Sequence, residues 1–217
     1  MARQDVVLAE LAEATSRTHV ASLPGLIERA LAQAGLTIRD VEGVAVSIGP
    51  GSFTGLRIGL GLAKGIAFAG GLPVAAVPTL EALAQAAEAR PGQTVCAALD
   101  ARKGEVYGAV FRVGPAGVLE RMRPDAVLPP AVLATGLPAG AVLVGDAAEA
   151  YPDAWPATLE RRRFATHHPR GGIVARMGAR RLVAGETADL GALEPAYLRP
   201  PEAEIARMKS AGGGGAR

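Results

Sequence analysis

One segment of the chain, residues 44–69, limits the fold more than any other. Residues 44–48 are apolar apart from Ser47, which is typical of a strand buried on both faces of a parallel sheet. The strand runs into the turn Gly49-Pro50-Gly51, and residues 53–69 are predicted to form a helix. A buried strand that continues through a glycine turn into a helix indicates an α/β fold, in which helices cover a mostly parallel sheet.

The rest of the first 92 residues repeats this alternation. Residues 6–11 and 72–77 are predicted to be further strands, and apolar residues recur at helical spacing on one face of residues 20–34. Thr79 is predicted to cap a third helix. This part of the chain is therefore expected to form one helix-covered sheet.

The pattern changes at Pro91-Gly92, where we place a boundary between two lobes. Strands at 94–99, 105–113 and 118–127, separated by tight turns, predict an antiparallel meander. A short strand at 141–144, a helix at 173–184 and an extended segment at 194–199 follow. We predict a first α/β lobe at 1–92, a second α/β lobe at 93–209 and a disordered tail at 210–217.

Composition excludes several classes of protein. Apolar residues make up 49% of the chain and aromatic residues only 4%, so the core has to be built from small aliphatic side chains. The net charge of +2 gives no bulk basic field for nucleic acid. The one cysteine, Cys96, lies in a predicted strand and is predicted to be a buried thiol. With no apolar run of about 20 residues and no signal-peptide pattern, we predict a cytoplasmic protein without a membrane anchor.

The glycine turn has two interpretations. Free N–H groups at the start of the following helix make it a candidate anion-binding site, formed by Gly49, Gly51, Ser52 and Thr54. It lacks the Gly-Lys-Ser/Thr of a Walker loop and the third glycine of a dinucleotide fingerprint. The alternative is a tight turn between strand and helix that Ser52 or Thr54 caps.

The helix after the turn is unusually rich in small residues. Gly55 and Gly59 are four residues apart, as are Gly61 and Gly65. Each glycine costs a helix about 0.8–1 kcal/mol relative to alanine, so several in one helix require compensation from packing. Small residues let another backbone approach closely, and that backbone belongs either to the chain's own sheet or to a second subunit.

The chain contains no recognisable catalytic set. Asp100 and Glu105 could be a paired-carboxylate site, but we favour the interpretation that Asp100 caps the turn between two strands. There is no His-x-x-x-His or Cys-x-x-Cys, so no metal site is predicted. The basic residues Arg161–Arg163 and Arg170 are interpreted as a solvated surface, with RNA phosphate as the alternative ligand.

Three motifs resemble those of the TsaB (YeaZ) family. The most specific is the run 46–59, Val-Ser-Ile-Gly-Pro-Gly-Ser-Phe-Thr-Gly-Leu-Arg-Ile-Gly, which continues through Ala63-Lys64-Gly65. Residues 100–107 (Asp-Ala-Arg-Lys-Gly-Glu-Val-Tyr) and 194–199 (Glu-Pro-Ala-Tyr-Leu-Arg) match the later motifs. His19 also falls where the family often has histidine. The resemblance runs in order from about residue 5 to residue 205.

The resemblance implies an actin-like (ASKHA), two-lobed α/β fold. The family's first two strands, with their Asp-Thr-Ser or Asp-Thr-Ala turn, have no counterpart here, so the first lobe is expected to lack its N-terminal strands. Because those strands form one wall of the nucleotide cleft, we expect weak or no binding of ATP.

The resemblance also implies a function. Members of the family are non-catalytic partners of TsaD, which transfers threonylcarbamoyl to N6 of an adenosine next to the tRNA anticodon, and they act with the small ATPase TsaE. The chain is thus expected to have no catalytic residue, metal or cofactor, and to meet tRNA only within the complex. The alternatives are a homodimer through the same helix and a nucleotide-dependent phosphotransferase or glycopeptidase-like hydrolase of the same fold.

The family is thought to dock through the first two helices of the first lobe, here about 20–34 and 53–69. The residues that this implies for the partner interface are Leu23, Ile27, Leu31, Arg57, Gly59, Leu60, Ala63, Lys64 and Ala67.

Overall fold

The computed structural model describes residues 1–13 and 19–199. The strands are β1 (Ala2–Arg3), β2 (Val6–Val7), β3 (Val44–Gly49), β4 (Val74–Pro78), β5 (Thr94–Arg102), β6 (Glu105–Val113), β7 (Leu119–Leu128), β8 (Val142–Val144) and β9 (Glu160–Arg161). The α-helices are α1 (His19–Gln33), α2 (Phe53–Gly70), α3 (Thr79–Ala86), α4 (Pro130–Ala134), α5 (Ala147–Ala150) and α6 (Gly171–Val183). The predicted tail at 210–217 lies outside the described residues.

The second half of the chain builds a five-stranded sheet in the order β7-β6-β5-β8-β9. Strands β5, β6 and β7 pair antiparallel, which confirms the predicted meander, and β8 and β9 add parallel to it. Side chains of β5 alternate between two cores, because successive strand residues point to opposite faces. Cys96 and Ala98 pack under α4 and α5, while Val95 and Ala97 pack under α3.

The first half builds a two-stranded parallel sheet from β3 and β4. The predicted strand at 6–11 does not join it, so that prediction is wrong. Only Val6–Val7 is extended, and it pairs antiparallel with Ala2–Arg3 as a short hairpin. Gln4 has a φ of 51° in the hairpin turn, and Leu8 N–H donates to Met1 O at 3.0 Å. The backbone groups of this segment are therefore hydrogen-bonded within the hairpin instead of with β3 or β4.

Helices α2 and α6 cover opposite sides of the β3–β4 pair. Helix α6 comes so close that a Cβ added at Gly178 would lie 2.2 Å from Ala45 Cβ in β3. The predicted boundary at residue 92 assigned this helix to the second lobe, but α6 packs with Val77 of β4 through Ile173 and Val174. The last part of the chain thus returns to complete the first sheet. We call β3, β4, α2 and α6 the first lobe, and the five-stranded sheet with α4 and α5 the second lobe.

Helix α3 lies between the two lobes. Leu80 and Leu83 are fully buried against the five-stranded sheet. Ala82 and Ala86 pack on the other side, in the core that α6 and β4 share. Because both faces of this short helix are buried, the lobes are joined by a common core as well as by the chain.

Two further features concern the remaining helices. Helix α1 begins at His19, so Pro24 lies inside the helix. Within the described part of the chain, no helix combines the length and the apolar character needed to cross a membrane.

Candidate functional site

The glycine turn between β3 and α2 is closed by the chain itself. Ser52 Oγ accepts a hydrogen bond from Gly55 N–H at 3.3 Å, as the N-cap of α2. Gly49 is buried with a φ of +118°, and a Cβ there would lie 2.9 Å from Ala196 O. Gly51, Ser52 and Thr54 are exposed. Of the two interpretations of this turn, the geometry matches the tight turn between strand and helix, with Ser52 as the cap. Gly49 is buried and therefore inaccessible to an anion.

One face of α2 belongs to the core of the first lobe. Leu60, Ala63 and Ala67 are 3%, 6% and 0% exposed and pack with Val46 and Val74 of the sheet. They were predicted to contact a partner, whereas about 3.6 residues per turn place all three on the stripe that faces β3 and β4, which leaves little of their surface exposed. Leu31 of α1, predicted with them, is likewise only 7% exposed.

The opposite face of α2 is open. Gly61 and Gly65 are exposed, and a Cβ added at either would meet no atom of the described residues within 4 Å. Phe68, one turn further, is 84% exposed. Arg57, one turn before Gly61, is exposed as well. We call these four residues the outer face of α2.

An aromatic cluster stands at the N-terminal end of this outer face. The rings of Phe53 and Tyr197 stack with centroids 5.1 Å apart, and the Arg57 guanidinium lies 4.4 Å from the Phe53 centroid. Arg57 Nε also donates to the Tyr197 hydroxyl at 2.9 Å. These two contacts hold the exposed side chain of Arg57 in one orientation.

The other predicted interface residues lie around this face. Leu23 and Ile27 are half-buried on α1, which contacts α2. Gly59 is half-buried with open space around its α-carbon. Lys64 Nζ donates to Leu193 O at 3.2 Å. Gly61, Gly65 and Phe68 were not among the predicted interface residues, although the apolar stripe 56-60-63-67 in the sequence indicates that they lie on the exposed face of the helix.

The turn at 100–105 has a structural role. Asp100 Oδ1 accepts from Tyr151 Oη at 2.7 Å and from Arg102 N–H at 2.8 Å. Asp100 N–H in turn donates to Asp146 Oδ1 at 2.8 Å. The bond to Asp100 raises the pKa of the Tyr151 hydroxyl. Asp100 therefore organises the turn, as the sequence interpretation favoured, and does not form a pair of carboxylates with Glu105, whose side chain binds Arg199.

Within residues 1–13 and 19–199, no group of three His, Cys, Asp or Glu residues is arranged to hold a metal ion. Cys96 is buried as predicted, and burial raises the pKa of its thiol to about 12. In the basic cluster, Arg161 donates to Pro152 O at 3.0 Å and Arg162 to Ala87 O at 3.3 Å. These two arginines are thus engaged with backbone carbonyls, Arg161 within the second lobe and Arg162 at the end of α3.

Comparison with known proteins adds to this geometry. A family model described as "TsaD: tRNA N6-adenosine threonylcarbamoyltransferase" matches residues 11–207. The tRNA threonylcarbamoyladenosine biosynthesis protein TsaB of Escherichia coli (strain K12) is 33% identical over 192 residues, covering 86% of the chain and 83% of that protein. TsaB of Bacillus subtilis (strain 168) is 30% identical, covering 96% and 91%. The solved structure "YeaZ from Pseudomonas aeruginosa" is similar with a TM-score of 0.76 at 30% identity, covering 86% and 87%. These matches confirm the predicted actin-like α/β fold.

Proposed function

Because this chain belongs to the TsaB (YeaZ) family of tRNA threonylcarbamoyladenosine biosynthesis proteins, we propose that it is a non-catalytic partner of a TsaD-type threonylcarbamoyltransferase. It acts by docking on TsaD through the outer face of α2. A TsaE-type ATPase joins the same complex, and tRNA is met only within it.

The observation that carries this proposal is the open space at Gly61 and Gly65. Each glycine costs α2 about 0.8–1 kcal/mol relative to alanine. At Gly178 of α6 the fold explains that cost, because a Cβ would lie 2.2 Å from Ala45 Cβ. At Gly61 and Gly65 no atom of the described residues lies where the missing Cβ would be. A helix of a partner packed against this face would need that space, since glycines let two helix backbones approach closely.

The side chains beside the glycines suit a protein interface. Phe68 is 84% exposed, at one end of the outer face, and Arg57 with its aromatic cluster is at the other. Aromatic residues and arginine dominate the binding energy of protein interfaces, while small residues between them allow close contact. The outer face thus has one large side chain at each end, the two anchors Arg57 and Phe68, and a flat backbone surface between them.

A homodimer through the same face is the competing arrangement. One helix face accommodates one partner at a time, so TsaD has to displace a second copy of the chain. Sedimentation of the chain alone and with TsaD tests this: we expect a heterodimer to form at the expense of any homodimer. A homodimer that persists unchanged beside TsaD would contradict a shared face.

Complementation of a TsaB-depleted cell tests the function, with threonylcarbamoyladenosine in its tRNA as the readout. The wild-type chain is expected to restore the modified nucleoside, and Gly61→Leu to fail because the new side chain blocks the outer face. Gly171→Leu is the matched control, because Gly171 of α6 is also exposed with nothing within 4 Å of an added Cβ. Full restoration by Gly61→Leu would exclude this docking surface, and no restoration by the wild type would exclude the function.

A further inference from the structure

Three segments that are far apart in the sequence meet in the structure. They are the turn and helix start at 49–57, the turn at 100–105 and the segment 193–199 near the end of the described chain. The first belongs to the first lobe and the second to the second lobe. The third contacts both of them, and the docking function gives it no role.

The segment is anchored first in the core of the first lobe. Leu193 is 8% exposed and packs with Leu60 and Ala67 of α2. Ala196 N–H donates to Ile48 O at 2.7 Å, at the end of β3. Ala196 O lies against Gly49, whose lack of a Cβ leaves room for it. The segment therefore crosses the carboxyl end of the first-lobe sheet.

Tyr197 then joins the segment to the docking helix. Its ring stacks on Phe53, and its hydroxyl accepts from Arg57 Nε. Arg57 is one of the two anchors of the outer face. The position of that anchor thus depends on a residue 140 positions away in the sequence.

Arg199 extends the connection to the second lobe. Its Nη1 donates to Ala101 O at 2.9 Å, and its Nη2 forms an ion pair with Glu105. Both partners belong to the turn that Asp100 organises through Arg102 N–H, Asp146 and Tyr151. The Arg199 guanidinium therefore binds a turn of the second lobe whose conformation is fixed by the hydrogen bonds of Asp100.

We infer that residues 193–199 form an interlobe clasp, which fixes the orientation of the two lobes and couples it to the outer face of α2. The lobes share a core at α3, and the clasp is a second tie between them. Releasing Arg199 leaves α3 as the point about which the lobes rotate. It also loosens Tyr197 and, through it, Arg57.

The clasp is built so that it can open without unfolding either lobe. Beyond Leu193 it consists of one backbone hydrogen bond, one stacked ring with its hydroxyl contact and one arginine fork. None of residues 194–199 is a strand of either sheet, and Tyr197 is 36% exposed. The opening therefore breaks no sheet pairing.

Distances measured between the two lobes of the isolated full chain test whether the clasp fixes their relative orientation. Spin labels at Ala69→Cys of α2 and Ala150→Cys of α5 report on the two lobes, and buried Cys96 stays unlabelled. The unaltered clasp is expected to give one narrow distance distribution. Arg199→Ala is expected to broaden or shift it, while circular dichroism stays that of the folded protein.

Milder variants keep the test valid if Arg199→Ala does not fold. Glu105→Gln removes only the charge that Arg199 binds, and Tyr197→Phe removes only a hydroxyl; their combination is expected to broaden the distribution too. Arg102→Ala is the control, because the Arg102 side chain is 86% exposed and pairs with Asp100 within the same turn. Distributions identical to the unaltered chain in all of the clasp variants would overturn the inference.

The coupling to docking rests on the proposed function and is measured separately. Calorimetric titration with TsaD is expected to show at least about 5-fold weaker binding by Arg199→Ala, which corresponds to the lower end of allosteric coupling. Equal affinities of Arg199→Ala and the wild type would overturn the coupling. If the wild type does not bind TsaD, the proposed function fails, while the distance distributions still decide whether the clasp exists.

Discussion

Ala67 and Phe68 are neighbours in the sequence and lie on opposite sides of α2. Ala67 has no exposed surface and packs in the core of the first lobe, whereas Phe68 is 84% exposed. A helix with an apolar core face carries polar residues on the other side in most soluble proteins. Here the other side carries Gly61, Gly65 and Phe68 beside Arg57, and the proposed docking of a partner would account for this unusual composition.

Two glycine-to-alanine substitutions are expected to have opposite effects on stability. Gly65→Ala should raise the free energy of unfolding by about 0.8–1 kcal/mol, because alanine favours the helix and the added Cβ meets no atom. Gly178→Ala should lower it by about 1–3 kcal/mol, because the Cβ would push α6 away from Ala45. Urea unfolding measures both, and a loss of stability in Gly65→Ala would show that α2 packs differently.

Substitutions of Leu60 and Phe68 are expected to distinguish the two faces of α2 by their different effects on the free energy of unfolding. Leu60→Ala should cost about 2–5 kcal/mol, as for other buried leucines. Phe68→Ala should change the free energy of unfolding by less than about 0.5 kcal/mol, because the ring is exposed in the monomer. Similar costs in thermal or urea unfolding would contradict the assignment of the faces.

Cys96 is expected to be inert in the folded protein. Burial raises the pKa of its thiol from the ordinary value of 9.0 to about 12. Between these values the unfolded chain releases the proton that the folded chain keeps, so stability is unaffected below pH 9 and falls as the pH rises towards 12.

Alkylation and unfolding measure this. Iodoacetamide at pH 8 should modify Cys96 in urea but not in the native protein. The loss of stability between pH 8 and pH 10 should be smaller in Cys96→Ala than in the wild type. Rapid alkylation of the native protein would refute the burial.

The turn at 49–55 is expected to cap a helix instead of binding a nucleotide. Ser52→Ala should lower stability by about 1 kcal/mol through loss of the cap, whereas exposed Thr54→Ala should have little effect. Titration with ATP should detect no binding, because Gly49 is covered by Ala196. Micromolar affinity for ATP, lost in Ser52→Ala, would favour the phosphotransferase alternative.

Local patterns predicted the elements well where their residues pair with near neighbours. Strand β6 was predicted with the bounds that the structure has, and the meander followed from its tight turns. The small residues of α2 were interpreted as a sign of close packing, and in the structure Ala63 and Ala67 are buried while Gly59, Gly61 and Gly65 have open space around them. The sequence left open whether that packing lies within the chain or with a partner. Ala63 and Ala67 turn to the chain's own sheet, whereas Gly61 and Gly65 turn away from it.

Local sequence patterns did not predict the contacts between residues that are far apart in the sequence. Helix α6 was predicted at nearly its true position, but nothing in its periodicity indicated that Gly178 packs on Ala45. Likewise the motifs at 100–107 and 194–199 were recognised separately, while the grip of Arg199 on Glu105 and Ala101 depends on the whole fold. The hairpin at β1 and β2 was missed because its pairing depends on a turn at Gln4, a residue type that gives no strong turn signal.

The affinity of TsaD for two exposed-residue variants tests the central claim most directly. Phe68 of α2 and Val183 of α6 are 84% and 85% exposed, so both truncations to alanine leave the folded chain intact. Calorimetric titration should show that Phe68→Ala weakens binding by about 2 kcal/mol, or roughly 30-fold in Kd, while Val183→Ala binds like the wild type. Wild-type affinity of Phe68→Ala would contradict docking through the outer face of α2.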